Sequence, residues 1–230
     1  MHKALIFGLG LFLWSCYREQ PQVLSLRRAQ ACVFLHDVSQ TFKQAVPPDR
    51  ALLVNLAHEI SKGGGLVAFG LVGSPDSTPQ LIRQAFQPLP VLPMNPTYTD
   101  RASYRNASHA AMRANDSLIN LFADEAMALI RRNSRGHAWT DVNKGLERAD
   151  QFFSELQMEG FAKVLILNCD GNHDVVLPSG KREHTLNLGV IEDEVNVITC
   201  GWTNPQHPQH WYRVESPAGL IQQIQRLTHK

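Results

Sequence analysis

Asp37, Ser39 and Thr41 form an Asp-x-Ser-x-Thr triplet at the end of an apolar run, QACVFLHD, that spans residues 30 to 37. Far along the chain, Thr140 stands just before a segment of helical spacing, WTDVNKGLERA, and Asp170-Gly171 follows a second apolar run, AKVLILN. Short oxygen-bearing side chains are what a hard divalent cation takes: Mg2+ seeks six oxygens in near-octahedral geometry and gives up its waters reluctantly. The same residues also suit purely local roles. Asp37 and Ser39 can cap the turn after a strand, Thr140 can cap a helix beginning at Asp141, and Asp170-Gly171 can be a plain turn. What separates the two readings is whether the three segments meet in space.

Competing constellations are fewer. His36, His173 and Asp174 lie near the same loops and offer ligands for a softer ion such as Zn2+, but His36 belongs to a strand and His173 reads as a surface loop residue. His207-Pro208-Gln209-His210 pairs two imidazoles across a proline, which removes helical spacing and leaves a solvated loop. Gly63 to Gly65 precedes a strand rather than a helix, so it lacks the arrangement that cradles phosphate. A Ser-His-Asp or Cys-His set is spatial and has no signature in spacing.

The elements that must position these residues follow from hydrophobic period. Gln30 to Asp37 reads as a strand, Asp49 to Lys62 as a helix (Leu52, Leu53, Leu56, Ala57, Ile60), and Leu66 to Val72 as a second strand that Gln80 to Leu89 rejoins as an antiparallel neighbour. Six prolines between Pro75 and Pro96 make the second half of that stretch a surface loop. Arg101 to Arg132 lacks Gly and Pro and reads as one long helix, or two joined by a kink. Ala107, Ala111, Ala114, Leu118, Leu121, Phe122, Leu129 and Ile130 form its apolar stripe. Asp141 to Leu156 is helical, Ala162 to Asn168 and Val195 to Trp202 are buried parallel strands, and Trp211 to Glu215 leads into a terminal helix over Ala218 to Leu227. Strands alternating with helices predict a single α/β domain with a doubly wound, mostly parallel central sheet flanked by helices.

Composition narrows the partners. A chain of 230 residues, 43% hydrophobic, has material for a full core. Its 22 basic and 21 acidic residues leave a formal charge of +1 with no run of either sign, which argues against nucleic acid, whose phosphates need a concentrated basic face. Residues 1–15 read as a signal peptide: Lys3 precedes eleven apolar residues, Ala4 to Trp14, too few to span a bilayer. Leu13-Trp14-Ser15-Cys16 resembles the bacterial lipobox, with Trp14 in place of the usual smaller residue. That resemblance implies lipidation at Cys16, a tether over residues 16–29, and a domain over residues 30–230. Of the other cysteines, Cys32, Cys169 and Cys200, at least one must be free. Cys169 and Cys200 end neighbouring strands and are the feasible pair.

Asp-x-Ser-x-Thr, a distant Thr and a distant Asp on three strand-end loops resemble the von Willebrand factor type A family, and WYRVESPAGLIQQIQRL looks like that family's last strand and helix. The resemblance runs from about Gln30 to Leu227. It implies a metal-ion-dependent adhesion site in which Asp37, Ser39, Thr41, Thr140 and Asp170 hold Mg2+, with Mn2+ or Ca2+ as substitutes, while a partner's carboxylate completes the coordination. Cys169 stands where that family usually has Thr, no helix is evident in Gly171 to Asp193, and Met94 to Asn133 is longer than the family needs. The expectation is a lipoprotein of the bacterial cell envelope, attached to the membrane through its lipid alone. It binds a protein and is not an enzyme. Two rivals stay open: a metal-assisted hydrolase with Asp174 or His173 as base, and a metal-free scaffold working through the long helix.

Overall fold

The structure, a computed structural model, describes residues 28–40, 42, 46–73, 81–133, 139–155 and 160–228. The signal peptide, Cys16 and most of the tether lie outside the described residues, as does Thr41.

Six strands form the main sheet: β1 (Gln30–Asp37), β2 (Leu66–Val72), β3 (Ile82–Ala85), β4 (Ala162–Asn168), β7 (Asn196–Cys200) and β8 (Tyr212–Val214). Their order is β3-β2-β1-β4-β7-β8, parallel throughout except for the edge strand β3. A separate hairpin pairs β5 (Val175–Val176) with β6 (Arg182–Glu183). The described α-helices are α1 (Arg50–Ser61), α2 (Tyr98–Arg132), α3 (Val142–Ser154) and α4 (Pro217–Thr228), and a short 3-10 helix lies at Leu188–Val190. The chain is thus a mixed α/β domain with a mostly parallel six-stranded sheet. Among the described residues, no helix is long and apolar enough to cross a membrane.

Strand alternation divides the core into two. Cys32 and Phe34 of β1, Phe69 of β2, Ile166 of β4 and Cys200 of β7 pack with Leu53, Leu56 and Ile60 of α1, Phe122 of α2 and Ile224 of α4. Val33 and Leu35, Leu165 and Leu167, and Val197 face the other way, onto Leu146, Ala149 and Phe152 of α3. Burial on both faces explains why β1 and β4 read as continuous apolar runs rather than as alternating ones. Local signals set the helix starts: Asp49 Oδ1 accepts from the Leu52 amide at 2.7 Å, and Thr97 and Asp100 form a reciprocal capping box.

The apolar stripe assigned to α2 is corrected by the structure. Ala107, Ala114 and Leu121 are exposed, whereas Ala111, Asn115, Ile119, Phe122, Ala123 and Ala126 face the core. At about 100° per residue the six buried residues occupy one arc of the helix, and Ala107, Ala114 and Leu121, spaced seven apart, fall just outside it on one side, so the expected stripe was set too far round the helix. Asn115 holds the proline-rich loop: its Oδ1 accepts from the Gln87 amide at 3.0 Å and its Nδ2 donates to the Gln87 carbonyl at 2.8 Å.

A second correction concerns the thiols. Cys169 and Cys200 are free. Asn168 is the residue that pairs with Cys200, so Cys169 lies one step further on and points to the α3 side while Cys200 points to the α1 side. Neighbouring strands alone do not make a disulfide; the Cβ vectors must converge.

Candidate functional site

In an open parallel sheet the carboxyl ends of the strands form a crevice where the strand order reverses, and here the reversal falls between β1 and β4. Asp37 is the last residue of β1, and His36 pairs with Asn168, the last of β4. Asp37 and the loop carrying Asp170 are therefore set side by side by backbone register. Thr140 is brought in from the segment before α3.

Asp37 is buried, 1% exposed. Its Oδ1 accepts from the Ser39 amide at 2.7 Å, so the turn-capping role read from sequence is present. Its Oδ2 is buried without a hydrogen-bond partner of good geometry among the described residues. Gly73, at φ 92°, closes the other side. A Cβ there would sit 3.1 Å from Asp37 Oδ1 and 3.2 Å from the Ser39 nitrogen, so a side chain would crowd the carboxylate.

Thr140 does not cap α3. Asp141 does, accepting from the Lys144 amide at 3.0 Å. Thr140 instead exchanges both backbone hydrogen bonds with Asp174, each 3.0 Å, which leaves its hydroxyl beside Asp37. Asp170 accepts the Asn172 amide through Oδ1 at 2.8 Å, and its carbonyl accepts from the amides of Thr203 and Asn204. The loop turns at Gly171, φ 78°, where a Cβ would lie 2.5 Å from the Trp202 ring. The indole is buried, 3% exposed.

The electrostatics follow from this packing. Burial pushes Asp37 up to about 6; the Ser39 amide and hydroxyl pull it down, the Asp170 charge pushes it up, and the Thr140 hydroxyl pulls it down. Around neutral pH the crevice thus holds a buried carboxylate, largely ionised, with one orphaned oxygen and a second carboxylate nearby. Such a group is costly without a counter-charge. These residues fit a hard divalent cation. Cys169 is buried beside them, and its thiol is raised well above its usual range, by burial first and by the Asp37 charge second, so it stays protonated.

The softer-metal set does not assemble. His36 lies against Asn168 on one side of the sheet, whereas His173 approaches Asp141 on the other. No group of three His, Cys, Asp or Glu side chains is arranged to hold a metal among the described residues. His173 also departs from its expected surface position: it is 5% exposed. Asp174 pairs with Arg182 at 3.0 Å, and His207 packs against Trp202 and Trp211 while its Nε2 lies 3.0 Å from the Thr199 hydroxyl. Three contributors escaped the sequence reading: Gly73, Asp141 and Trp202. A glycine directly after β2, the strand beside Asp37, was the available signal for the first; the cap role expected of Thr140 falls one residue later, on Asp141, because the helix begins at Val142.

No protein-family model matches the chain, and no curated protein matches it in sequence. Among solved structures it is similar to the pilus adhesin SpaC from Lactobacillus rhamnosus GG in its open conformation, with 11% identity and a TM-score of 0.47. That match covers 90% of this chain and 30% of the adhesin, so the chain spans less than a third of the adhesin's length.

Proposed function

We propose that this chain is a protein-binding module of von Willebrand factor type A kind, doubly wound, in which Asp37, Ser39, Thr41, Thr140 and Asp170 hold Mg2+. Mn2+ and Ca2+ are the substitutes. When bound, the ion supplies an electrophilic centre to which a partner's carboxylate adds as a further ligand. The chain's own residues fix the site: β1 and β4 set the two carboxylates by register, Gly73 keeps space beside Asp37, and Trp202 supports the turn behind Asp170. The proposal includes a lipid anchor at Cys16, placing the domain at the bacterial envelope, and no catalytic turnover.

One observation supports the reading above all: the orphaned, buried Asp37 Oδ2 beside two hydroxyls and a second carboxylate. A turn cap alone needs none of the last three. The test is thermal stability. Mg2+ at ten times its Kd raises the stability of the parent by about 1.4 kcal/mol, and Asp37→Ala abolishes the gain. Loss of a mere cap instead costs about 1 kcal/mol with or without metal. Melting temperatures of the parent that are indifferent to millimolar Mg2+, Mn2+ and chelator alike sink the metal site.

A further inference from the structure

Next to Thr140, α3 and the β5–β6 hairpin border a cleft of about 800 Å3, lined by Trp139 and Asp141, the two chain neighbours of Thr140. Its charged lining is acidic in balance: Asp141, Glu147 and Glu183 against Lys144. Of the basic residues around it, Arg182 and His184 turn to Asp174, at 3.0 Å and 3.6 Å, Lys181 lies exposed at the hairpin turn, and Arg148 of α3 stands near Asp141 and Glu147. One wall is apolar, running from Val175 to Pro178, with Val176 40% and Leu177 37% exposed.

A second, independent feature lies at the floor. His173 lines the cleft with a side chain that is 2% exposed, yet neither ring nitrogen has a hydrogen-bond partner; the nearest acid, Asp141 Oδ1, is 3.8 Å away. Burial keeps this imidazole below its usual range, which leaves one nitrogen as a lone-pair acceptor. The cleft therefore joins carboxylates and an apolar wall with an unpartnered imidazole buried in its lining. An anion would meet three carboxylates. A cationic head on an aliphatic stem satisfies both parts, since such side chains lay their stems on apolar surface and keep the charge among acceptors.

We propose that this cleft receives a lysine or arginine side chain of a protein partner. It deepens the function proposed above and rests on it, because the same partner would present a carboxylate to the metal held at Asp37 and a basic residue to the cleft. Recognition in the cleft does not itself require metal.

The test is a nuclear magnetic resonance titration of the full chain in chelator with four capped tripeptides, Gly-X-Gly, where X is lysine, arginine, norleucine or glutamate. The readout is the His173 ring Cε1 proton, assigned by its loss in His173→Gln. The lysine or arginine peptide shifts it saturably, and norleucine and glutamate do not. Glu183→Gln, on the partly exposed hairpin, weakens that binding about tenfold, the worth of one charge-assisted hydrogen bond. The proposal is overturned if neither cationic peptide shifts the signal up to tens of millimolar, if norleucine matches them, or if Glu183→Gln and Glu147→Gln both leave binding unchanged. Cationic binding in a chain whose melting ignores Mg2+ removes the metal site alone, whereas an intact Mg2+ response without peptide binding removes the cleft alone.

Discussion

His36 and Asp37 are consecutive, both are buried, and burial moves their titrations in opposite directions. His36 is lowered to about 4 by loss of water, with a smaller opposing pull from Asn168. Its share of stability is therefore complete above its ordinary value of 6.5 and is lost as pH falls towards 4. Asp37, raised from 3.8 to about 6, contributes with the opposite sign: its share is complete below 3.8 and is lost as pH rises through 6. Between these limits the two effects offset one another in the metal-free protein. Asp37→Asn removes one of them. Urea unfolding of that variant in chelator should show a steeper loss of stability on acidification from pH 6.5 to 4 than the parent shows, and an equal slope in both proteins would contradict the burial of Asp37 as an ionisable group.

Elements meet at the site through close contacts that a single methyl group tests. Gly171 holds a left-handed turn and lies against the Trp202 ring, joining the loop after β4 to the segment after β7. Gly171→Ala meets both backbone strain and the indole and should cost about 1–3 kcal/mol. Because the displaced turn carries Asp170, the stability gain from Mg2+ should shrink in the same variant. Calorimetry with and without Mg2+ separates the outcomes, and a variant that melts lower yet keeps the full Mg2+ increment would show that the turn is structural only. The same scale explains the long helix. Asn115, a polar residue in the middle of the buried face of α2, broke the apolar pattern, and only its two hydrogen bonds to Gln87 show why burial suits it.

At the scale of the molecule, the two-sided core fixes the state of the thiols. Cys32, Cys169 and Cys200 are buried and free. Burial pushes Cys32 and Cys200 up, the latter to about 12. All three should ignore Ellman's reagent in the native protein and react once it is unfolded, as slow or absent reaction follows from a protonated, buried thiol. Intact-mass analysis showing a Cys169 to Cys200 bridge would contradict the strand faces described above. The anchor is tested separately. Cys16→Ser should release the protein from the membrane to the soluble envelope fraction with its melting temperature unchanged, since the tether from Tyr17 to Gln30 reaches at most about 50 Å and lies ahead of the domain. Membrane fractionation that is the same for the variant and the parent would refute lipidation.

Hydrophobic period by itself determined most of this architecture. Residues 30 to 37, 66 to 72 and 162 to 168 are strands at the bounds the apolar runs mark, because a strand buried on both faces announces itself in consecutive residues. The triplet at Asp37, with Thr140 and Asp170, was likewise visible as residue types in order. What only the tertiary structure decided are properties that depend on direction and enclosure. Which face Cys169 and Cys200 present follows from one residue of register between β4 and β7. Which residue caps α3, and so leaves the Thr140 hydroxyl beside Asp37, depends on a backbone pairing with Asp174, thirty-four positions away in the chain. The burial of His173 depends on a cleft bordered by α3 and a hairpin that no local pattern joins. Spacing along a chain encodes the period of an element. Whether a polar side chain ends in water or in an enclosed crevice is fixed by what distant segments bring to cover it.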